Sequence, residues 1–108
     1  MGAMVAPLPE ANLAAWESWI GELNGSRKAE FDDMNQRHSI TDHRAYLQAT
    51  PDGGHVVVVI TDGAGGDSLV PTLAASDNEF DKWFIKNVFE LHGVDPSSPP
   101  PPAAERRL

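Results

Sequence analysis

Apolar residues recur every three or four positions in several parts of the chain, a spacing typical of helices that bury one face. This spacing predicts helices over residues 10–23, 26–38 and 76–92, with a shorter helix over 68–75. Gly25 and Gly93 are expected to end the helices before them, because glycine readily adopts a left-handed conformation. Ser76 and Glu79 have the spacing of a capping box, in which each side chain binds the other's backbone amide.

Two neighbouring stretches have the composition of β-strands. His43–Ala49 mixes apolar and polar residues, whereas His55–Thr61 is rich in valine. The residues between them, Thr50–Gly54, predict a turn, because proline fixes φ and glycine permits positive φ. A hairpin is therefore expected to join the two strands. Shorter apolar stretches at Met4–Leu8 and Val94–Asp95 predict an edge strand and the start of a last strand.

The valine-rich strand contains an unbroken β-branched run from Val56 to Ile60. An antiparallel sheet with one face in water normally alternates apolar and polar residues. The run therefore indicates that both faces of the sheet are covered, and the predicted helices are too few to cover both. We expect a second copy of the chain to cover the open face, forming a homodimer. The alternative is that Val57 and Val59 are half-exposed.

The composition narrows the class of protein. The 108 residues, 41% of them apolar, are enough for one domain but too few for two cores. Eight basic and 16 acidic residues give a net charge of -8, which argues against binding to nucleic acid or to anionic lipid. The absence of cysteine excludes disulfides and thiolate chemistry. No apolar run reaches the roughly 18 residues of a membrane span, and the first residues lack a signal-peptide pattern, so we expect a cytoplasmic protein.

The two ends of the chain set the expected domain boundaries. Residues 1–3 have the pattern of residues left by cloning, so Met4 is the expected native start. Residues 4–95 form the predicted single domain. Residues 96–108 begin with a proline-rich stretch, and we expect this tail to be extended or disordered.

Several stretches carry a resemblance to known proteins: residues 27–31, 37–41, 46–53 and 73–84, of which Phe80-Asp81-Lys82-Trp83-Phe84 is the most specific. They resemble a family of small bacterial, largely actinobacterial, proteins, over roughly residues 8–95. The order of the predicted elements also resembles the ferredoxin-like βαββαβ unit of the dimeric α+β barrel superfamily, which includes the antibiotic-biosynthesis monooxygenase-like proteins.

This resemblance implies an α+β fold of ferredoxin-like βαββαβ type, with an antiparallel sheet and a dimeric α+β barrel. Oxygenases of that superfamily work without a cofactor and bind flat aromatic substrates in their cavities. The resemblance therefore implies no cofactor and a small aromatic or quinone-like ligand. The chain departs from the full pattern at both ends, where the first and last strands are short and flanked by proline.

The polar residues indicate neither a metal site nor a catalytic triad. His38 and His43 are five positions apart, a spacing that does not place two ligands on one helix face. The loop Asp62–Gly66 resembles one calcium-binding repeat, but such repeats work only in stacked copies. Its glycines do not match a dinucleotide-binding fingerprint, so we interpret the loop as a flexible connector. No serine lies in a Gly-x-Ser-x-Gly elbow.

Polar side chains gather where the second helix gives way to the first hairpin strand. Strand alternation places Arg44, Tyr46 and Gln48 on one face and His43 on the other, and a polar face is unusual for a packed sheet. We expect this face to line a cavity between sheet and helices or the interior of a dimer. A polar interface or solvent-facing edge is the alternative, and the tryptophans are otherwise expected in the core. The candidate ligand-binding residues are Arg37, His38, Arg44, Tyr46, Gln48 and Trp83.

Two functions fit these features. The first is a small-molecule-binding protein or a cofactor-independent enzyme, with an enclosed, partly apolar cavity in each subunit. The second is a non-catalytic structural or regulatory homodimer, or a partner-binding module. The sequence identifies no catalytic residue and leaves open whether the protein is an enzyme.

Overall fold

The computed structural model describes residues 1–95, 97 and 104–108. Within these residues, one antiparallel sheet contains the strands β1 (Gly2–Leu8), β2 (Asp42–Ala49) and β3 (His55–Asp62). The helices are α1 (Leu13–Asn24), α2 (Lys28–Arg37), α3 (Leu69–Ala74) and α4 (Glu79–His92). Short 3₁₀ turns precede α1 (Glu10–Asn12) and α3 (Gly66–Ser68). The fold is mixed α+β, as predicted. No helix in this part of the chain is both long enough and apolar enough to cross a bilayer.

The valine-rich strand β3 lies at the centre of the sheet, so the strand order is β1-β3-β2. β1 runs antiparallel to β3, with Gly2 opposite Thr61 and Leu8 opposite His55. β2 pairs with the other side of β3, with Ala49 opposite His55, which confirms the predicted hairpin.

The two ends of the chain differ from expectation. β1 begins at Gly2, earlier than the predicted strand, because residues 2 and 3 also pair with β3. Val94 does not begin a strand. Its amide donates a 2.8 Å hydrogen bond to the carbonyl of Phe89, which turns the chain back at the end of α4. A fourth strand is absent from the described residues, and most of the proline-rich stretch (residue 96 and residues 98–103) lies outside them.

The core lies between the helices and one face of the sheet. From the sheet it takes Val57 (1% exposed) and Leu8 (2% exposed). From the helices it takes Trp16, Trp19, Leu23, Met34, Leu69, Leu73, Phe80, Phe84, Ile85 and Leu91. Among the described residues, nothing covers the opposite face of the sheet. Val5 and Tyr46, each 51% exposed, lie on that face at either side of Val58.

Two predicted helix caps differ in detail, although α1 ends directly before Gly25 as predicted. The side chain of Asn78 caps α4 and accepts hydrogen bonds of 2.9 and 3.2 Å from two backbone amides of the first turn. A capping box of Ser76 with Glu79 is therefore not formed, because Asn78 stands directly before the helix. Gly93 adopts the expected left-handed conformation at φ +67°, whereas Gly25, at φ -129°, does not.

The glycine-rich loop at residues 62–66 packs against the end of α2. A side-chain carbon on Gly65 would overlap the carbonyl oxygen of His38, so only glycine permits this approach. The amide of Gly65 also donates a 3.2 Å hydrogen bond to the carbonyl of Ser39. Close contact between two backbones, rather than flexibility, accounts for the glycines in this loop.

Candidate functional site

A cavity of about 460 Å³ lies between the helices and the inner face of the sheet. Its walls are mainly apolar side chains of α1, α3 and α4 on one side and of the three strands on the other. Protein interiors are close-packed, so a void of this size is unusual. Its volume falls in the range of ligand-binding pockets, roughly 300–1,000 Å³.

The cavity is present because the sheet offers small side chains to it. Gly2, Ala6 and Ala45 line it from β1 and β2 and lie on the same face as the buried Val57. Longer side chains at Ala6 and Ala45 would reach toward the helices and fill the gap, whereas a side-chain carbon on Gly2 would overlap the carbonyl oxygen of Gly66. Ala45 is exposed although it faces inward, so the cavity meets solvent along the β2 edge.

His43 on β2 lines this cavity. Its ring packs against Phe31 and Phe84, at centroid distances of 5.1 and 5.9 Å. Its Nδ1 lies 2.9 Å from Oδ1 of Asn35. Because an amide oxygen only accepts, Nδ1 carries the hydrogen and Nε2 keeps its lone pair. Burial lowers the pKa of His43 to about 4, against a weaker opposing effect of Asp42, so the ring is neutral at pH 7.

Trp19 on α1 lines the same cavity with its indole ring. Its side chain is 7% exposed, and the ring packs against Phe84 at 5.1 Å and Trp83 at 6.3 Å. The indole N–H has no hydrogen-bond partner among the described residues, and its nitrogen is fully buried, so it does not face the cavity space. A buried donor without an acceptor costs roughly 1–3 kcal/mol.

Two further polar side chains in the cavity wall already have partners. Thr61 Oγ1 donates a 2.9 Å hydrogen bond to a backbone carbonyl, and Nδ1 of His92 donates a 2.8 Å bond to the carbonyl of Pro7. Burial lowers the pKa of His92, so its ring is also neutral. The interior thus offers a ligand the ring acceptor of His43, with Nε2 of His92 as a second acceptor.

A more polar hollow of about 390 Å³ adjoins the cavity. The two spaces share Leu23, Asn24, Phe31 and His43 in their walls. The rest of the hollow is lined largely by polar side chains of α2 and of the segment leading into β2. His43 therefore lies where an apolar interior meets a polar surface.

The predicted polar face of β2 points away from the helices. Arg44 and Tyr46 border the cavity but belong to the outer face of the sheet. Arg44 forms ion pairs with Asp42 at 2.8 Å and Asp62 at 3.3 Å, and it donates a 3.3 Å hydrogen bond to the Tyr46 hydroxyl. Gln48 is exposed and bonds only to a neighbouring carbonyl. The alternation of β2 is confirmed, but this face does not lie between sheet and helices.

Trp83 lies in the aromatic cluster beside the cavity and does not line it. Its ring packs against Trp19 at 6.3 Å and Phe80 at 5.4 Å. The Arg27 guanidinium lies 4.1 Å from the centroid of its ring, a cation–π contact. Trp83 is thus partly buried at the edge of the core.

Arg37 and His38 bind a carboxylate that the sequence did not single out. Asp81, in the first turn of α4, is fully buried at 0% exposure. Arg37 donates hydrogen bonds of 2.8 and 3.0 Å to its two oxygens, while His38 Nε2 and Ser76 Oγ lie 2.8 and 2.7 Å from Oδ2. The cluster joins the end of α2 to the start of α4. Neither Arg37 nor His38 lines the cavity, so their role is structural.

The hydrogen bonds keep Asp81 ionised despite its burial. Burial alone would raise the pKa of this carboxyl, but the bonds from Arg37, His38 and Ser76 outweigh that effect and hold it well below its usual value. Asp81 and Asp33 in turn raise the pKa of Arg37. The ion pair therefore keeps its charges throughout the neutral range.

The sequence contains one indication that Asp81 is buried and needs partners. Positions 81, 85, 88 and 92 recur at helical spacing, which places Asp81 on one stripe with Ile85 and Val88. An acidic residue on a buried stripe needs partners, because an unpaired buried charge is very costly. No comparable pattern in the sequence indicated the free ring nitrogen of His43, because it depends on the contact of β2 with Asn35 of α2.

Comparisons with known proteins add no relative. A scan against protein-family models found no match, and searches of curated proteins and of solved structures found no significant match. Within the described residues, no group of three or more His, Asp or Glu side chains is placed to hold a metal ion. The family resemblance and the cytoplasmic location stay predictions.

Proposed function

We propose that the chain is a small-molecule-binding protein that takes a largely apolar compound into the cavity between sheet and helices. The observation that carries this proposal is the cavity itself, about 460 Å³ in the middle of a small domain. A domain of this size has little core to spare, so a large void there needs a reason. The rings of Trp19, Phe31 and Phe84 around it suit the aromatic or quinone-like compound that the resemblance implies. A cofactor-independent reaction on that compound is the enzymatic form of the same proposal.

Two alanines of β2 allow a matched test of binding. Ala45 and Ala49 are both exposed and lie on the same face of the strand, but only Ala45 lines the cavity. We expect the neutral fluorescent probe N-phenyl-1-naphthylamine to bind the wild-type protein and Ala49→Phe alike. Ala45→Phe should weaken binding about tenfold or more by filling the cavity at the β2 edge. Equal binding by both variants, or no binding by the wild type, would refute the proposal.

The arrangement of the sheet supports the ferredoxin-like type of fold. The antiparallel order β1-β3-β2 is that of the first three strands of a βαββαβ unit. The fourth strand of such a unit would lie along the free edge of β1. The amide of Ala104 donates a 2.7 Å hydrogen bond to the carbonyl of Ala3 at that edge, so the tail already contacts the expected position.

The uncovered sheet face favours a second role, that of a homodimer built as an α+β barrel. Val5, Val58 and Tyr46 form an apolar row across this face. The charged groups of the three strands on this face lie at one end, where Arg44 is paired with two aspartates. Chains with a net charge of -8 can therefore meet here without opposing like charges. A second copy has the matching apolar surface by symmetry.

The size of the face indicates a weak dimer. Strand spacing and rise give it dimensions of roughly 14 by 25 Å, which is small beside the roughly 800 Å² that each partner buries in a standard interface. We expect sedimentation velocity to show a dimer that dissociates as the concentration falls through the micromolar range. Val5→Lys should abolish it, and Ala14→Lys, an exposed change on α1, should not. A single 11.7 kDa species at every concentration would rule the dimer out.

A further inference from the structure

The free ring nitrogen of His43 in the cavity wall identifies a more specific class of ligand. We infer that the cavity selects an uncharged, largely apolar molecule whose hydroxyl group donates a hydrogen bond to Nε2 of His43. This inference rests on the proposed binding function and adds the chemistry of recognition.

The hydrogen bond between His43 and Asn35 decides which group His43 can bind. Nδ1 is used in the 2.9 Å bond to Oδ1 of Asn35, so Nε2 is left as an acceptor. An acceptor matches a hydroxyl group and does not match a carbonyl oxygen. The site therefore prefers a phenol or a hydroquinone to the corresponding quinone or hydrocarbon.

The aromatic rings beside His43 supply the apolar contacts for such a molecule. Trp19 and His43 both pack against Phe84, at 5.1 and 5.9 Å, and all three residues line the cavity. A ligand ring that lies on this aromatic surface borders His43, the residue that would accept its hydroxyl hydrogen.

The electrostatics around His43 exclude a charged ligand. The ring is neutral, so it offers no countercharge to an anion. In the adjoining hollow Asp32 is paired with Lys28, and Asp42 is paired with Arg44, so the cations beside His43 already have carboxylate partners. The whole chain has a net charge of -8, which further disfavours an anion. An apolar interior also disfavours a cation. A ring whose pKa is lowered to about 4 is a poor base at neutral pH, which favours holding the hydroxyl over removing its proton.

Matched aromatic probes test this preference by isothermal titration calorimetry at pH 7. We expect 2-naphthol to bind the wild-type protein about tenfold more tightly than 2-methylnaphthalene, the gain of roughly one hydrogen bond. 1,4-Naphthoquinone should bind like the hydrocarbon. His43→Phe should lower the affinity for 2-naphthol about tenfold and leave that for 2-methylnaphthalene unchanged.

The outcomes separate the two proposals. Equal affinities of the wild-type protein for 2-naphthol and 2-methylnaphthalene would overturn the inference and leave the binding function standing. Failure of all three probes to bind would overturn both. His43→Gln keeps an acceptor oxygen at the position and guards against misfolding of the phenylalanine variant. The His43→Gln protein should retain a preference for 2-naphthol over 2-methylnaphthalene. Loss of this preference in a folded His43→Gln protein would count against recognition of the hydroxyl group by an acceptor at position 43.

Discussion

Asp81 shows what a buried charge requires in a small domain. Four hydrogen bonds reach its two oxygens, from Arg37, His38 and Ser76. Together they replace the water that a carboxylate loses on burial. Since these donors come from the end of α2 and from the segment before α4, the cluster also fixes the position of one helix relative to the other.

Removing this charge should destabilise the fold. Asp81→Asn leaves Arg37 without its buried partner, and we expect a loss of about 2 kcal/mol in the free energy of unfolding. That is less than the roughly 3–5 kcal/mol of a fully buried pair, because the side chain of Arg37 is 33% exposed. Urea denaturation followed by circular dichroism would measure the loss. Asp77→Asn, an exposed change nearby, should cost less than about 0.5 kcal/mol. Equal effects would contradict the structural role of Asp81.

The Asp81 cluster also predicts the direction of acid sensitivity. The pKa of Asp81 is lower in the folded chain than its ordinary value of 3.8. Its stabilising contribution is therefore complete above that value and is lost as the pH falls through it and below.

His43 predicts a loss of stability at a milder pH. Its pKa falls from an ordinary 6.5 to about 4 in the folded protein. Between these values the unfolded chain binds a proton that the folded chain does not, so acid favours unfolding. We expect a loss of about 2 kcal/mol between pH 7 and pH 5. His92 acts in the same direction, so the measurement is the difference between wild-type protein and His43→Phe in urea titrations at both pH values. An identical pH dependence in the two proteins would disprove this.

At the scale of elements, the local sequence pattern was sufficient to predict those helices and turns that depend only on their own residues. The stripe of α1, the stripe of α4 and the hairpin turn at residues 50–54 all follow from spacing and turn chemistry. Spacing and turn chemistry did not predict that β1 begins at Gly2 or that Val94 lacks a strand. Both depend on pairing with a distant strand. The sequence predicted a cavity, but it did not predict the residues that line it. The polar face of β2 was expected to line the cavity, whereas the cavity lies mainly on the opposite face.

Two glycines in different elements should respond in opposite ways to the same change. Nothing lies within 4 Å of a side-chain carbon built on Gly21 in α1, so Gly21→Ala should stabilise the protein by about 0.5–1 kcal/mol. Gly65 has an ordinary φ of -88°, yet its added carbon would overlap the carbonyl of His38. Gly65→Ala should therefore destabilise it by about 1–3 kcal/mol. Thermal denaturation would compare the two, and a tolerated Gly65→Ala would show that the loop is loosely packed.

For the whole molecule, a three-stranded sheet with helices on one side leaves two spaces that its own side chains do not fill. One is the cavity, which suits a small molecule, and the other is the outer sheet face, which suits a second copy. The unbroken run from Val56 to Ile60 indicated the second space from the sequence. The cavity could not be inferred from the sequence pattern, because its volume depends on the distance between the helices and the small residues of the sheet.

The pairing of β1 with β3 has a consequence for the order in which the molecule comes apart. Gly2 lies opposite Thr61 and Leu8 opposite His55, so this pairing encloses α1, α2 and β2. Closing so long a loop costs more entropy than closing the short turn of the β2–β3 hairpin. β1 should therefore dock last during folding and detach first in brief opening events.

β1 also forms part of the cavity wall, through Gly2, Met4 and Ala6. Its detachment would open the cavity widely and give a compound a second route of entry, besides the exposed edge of β2. In hydrogen exchange, the amides of β1 should exchange faster than those of β2 that pair with β3, and bound 2-naphthol should slow β1 most. Uniform exchange across the sheet would place the route of entry elsewhere, at the exposed edge of β2.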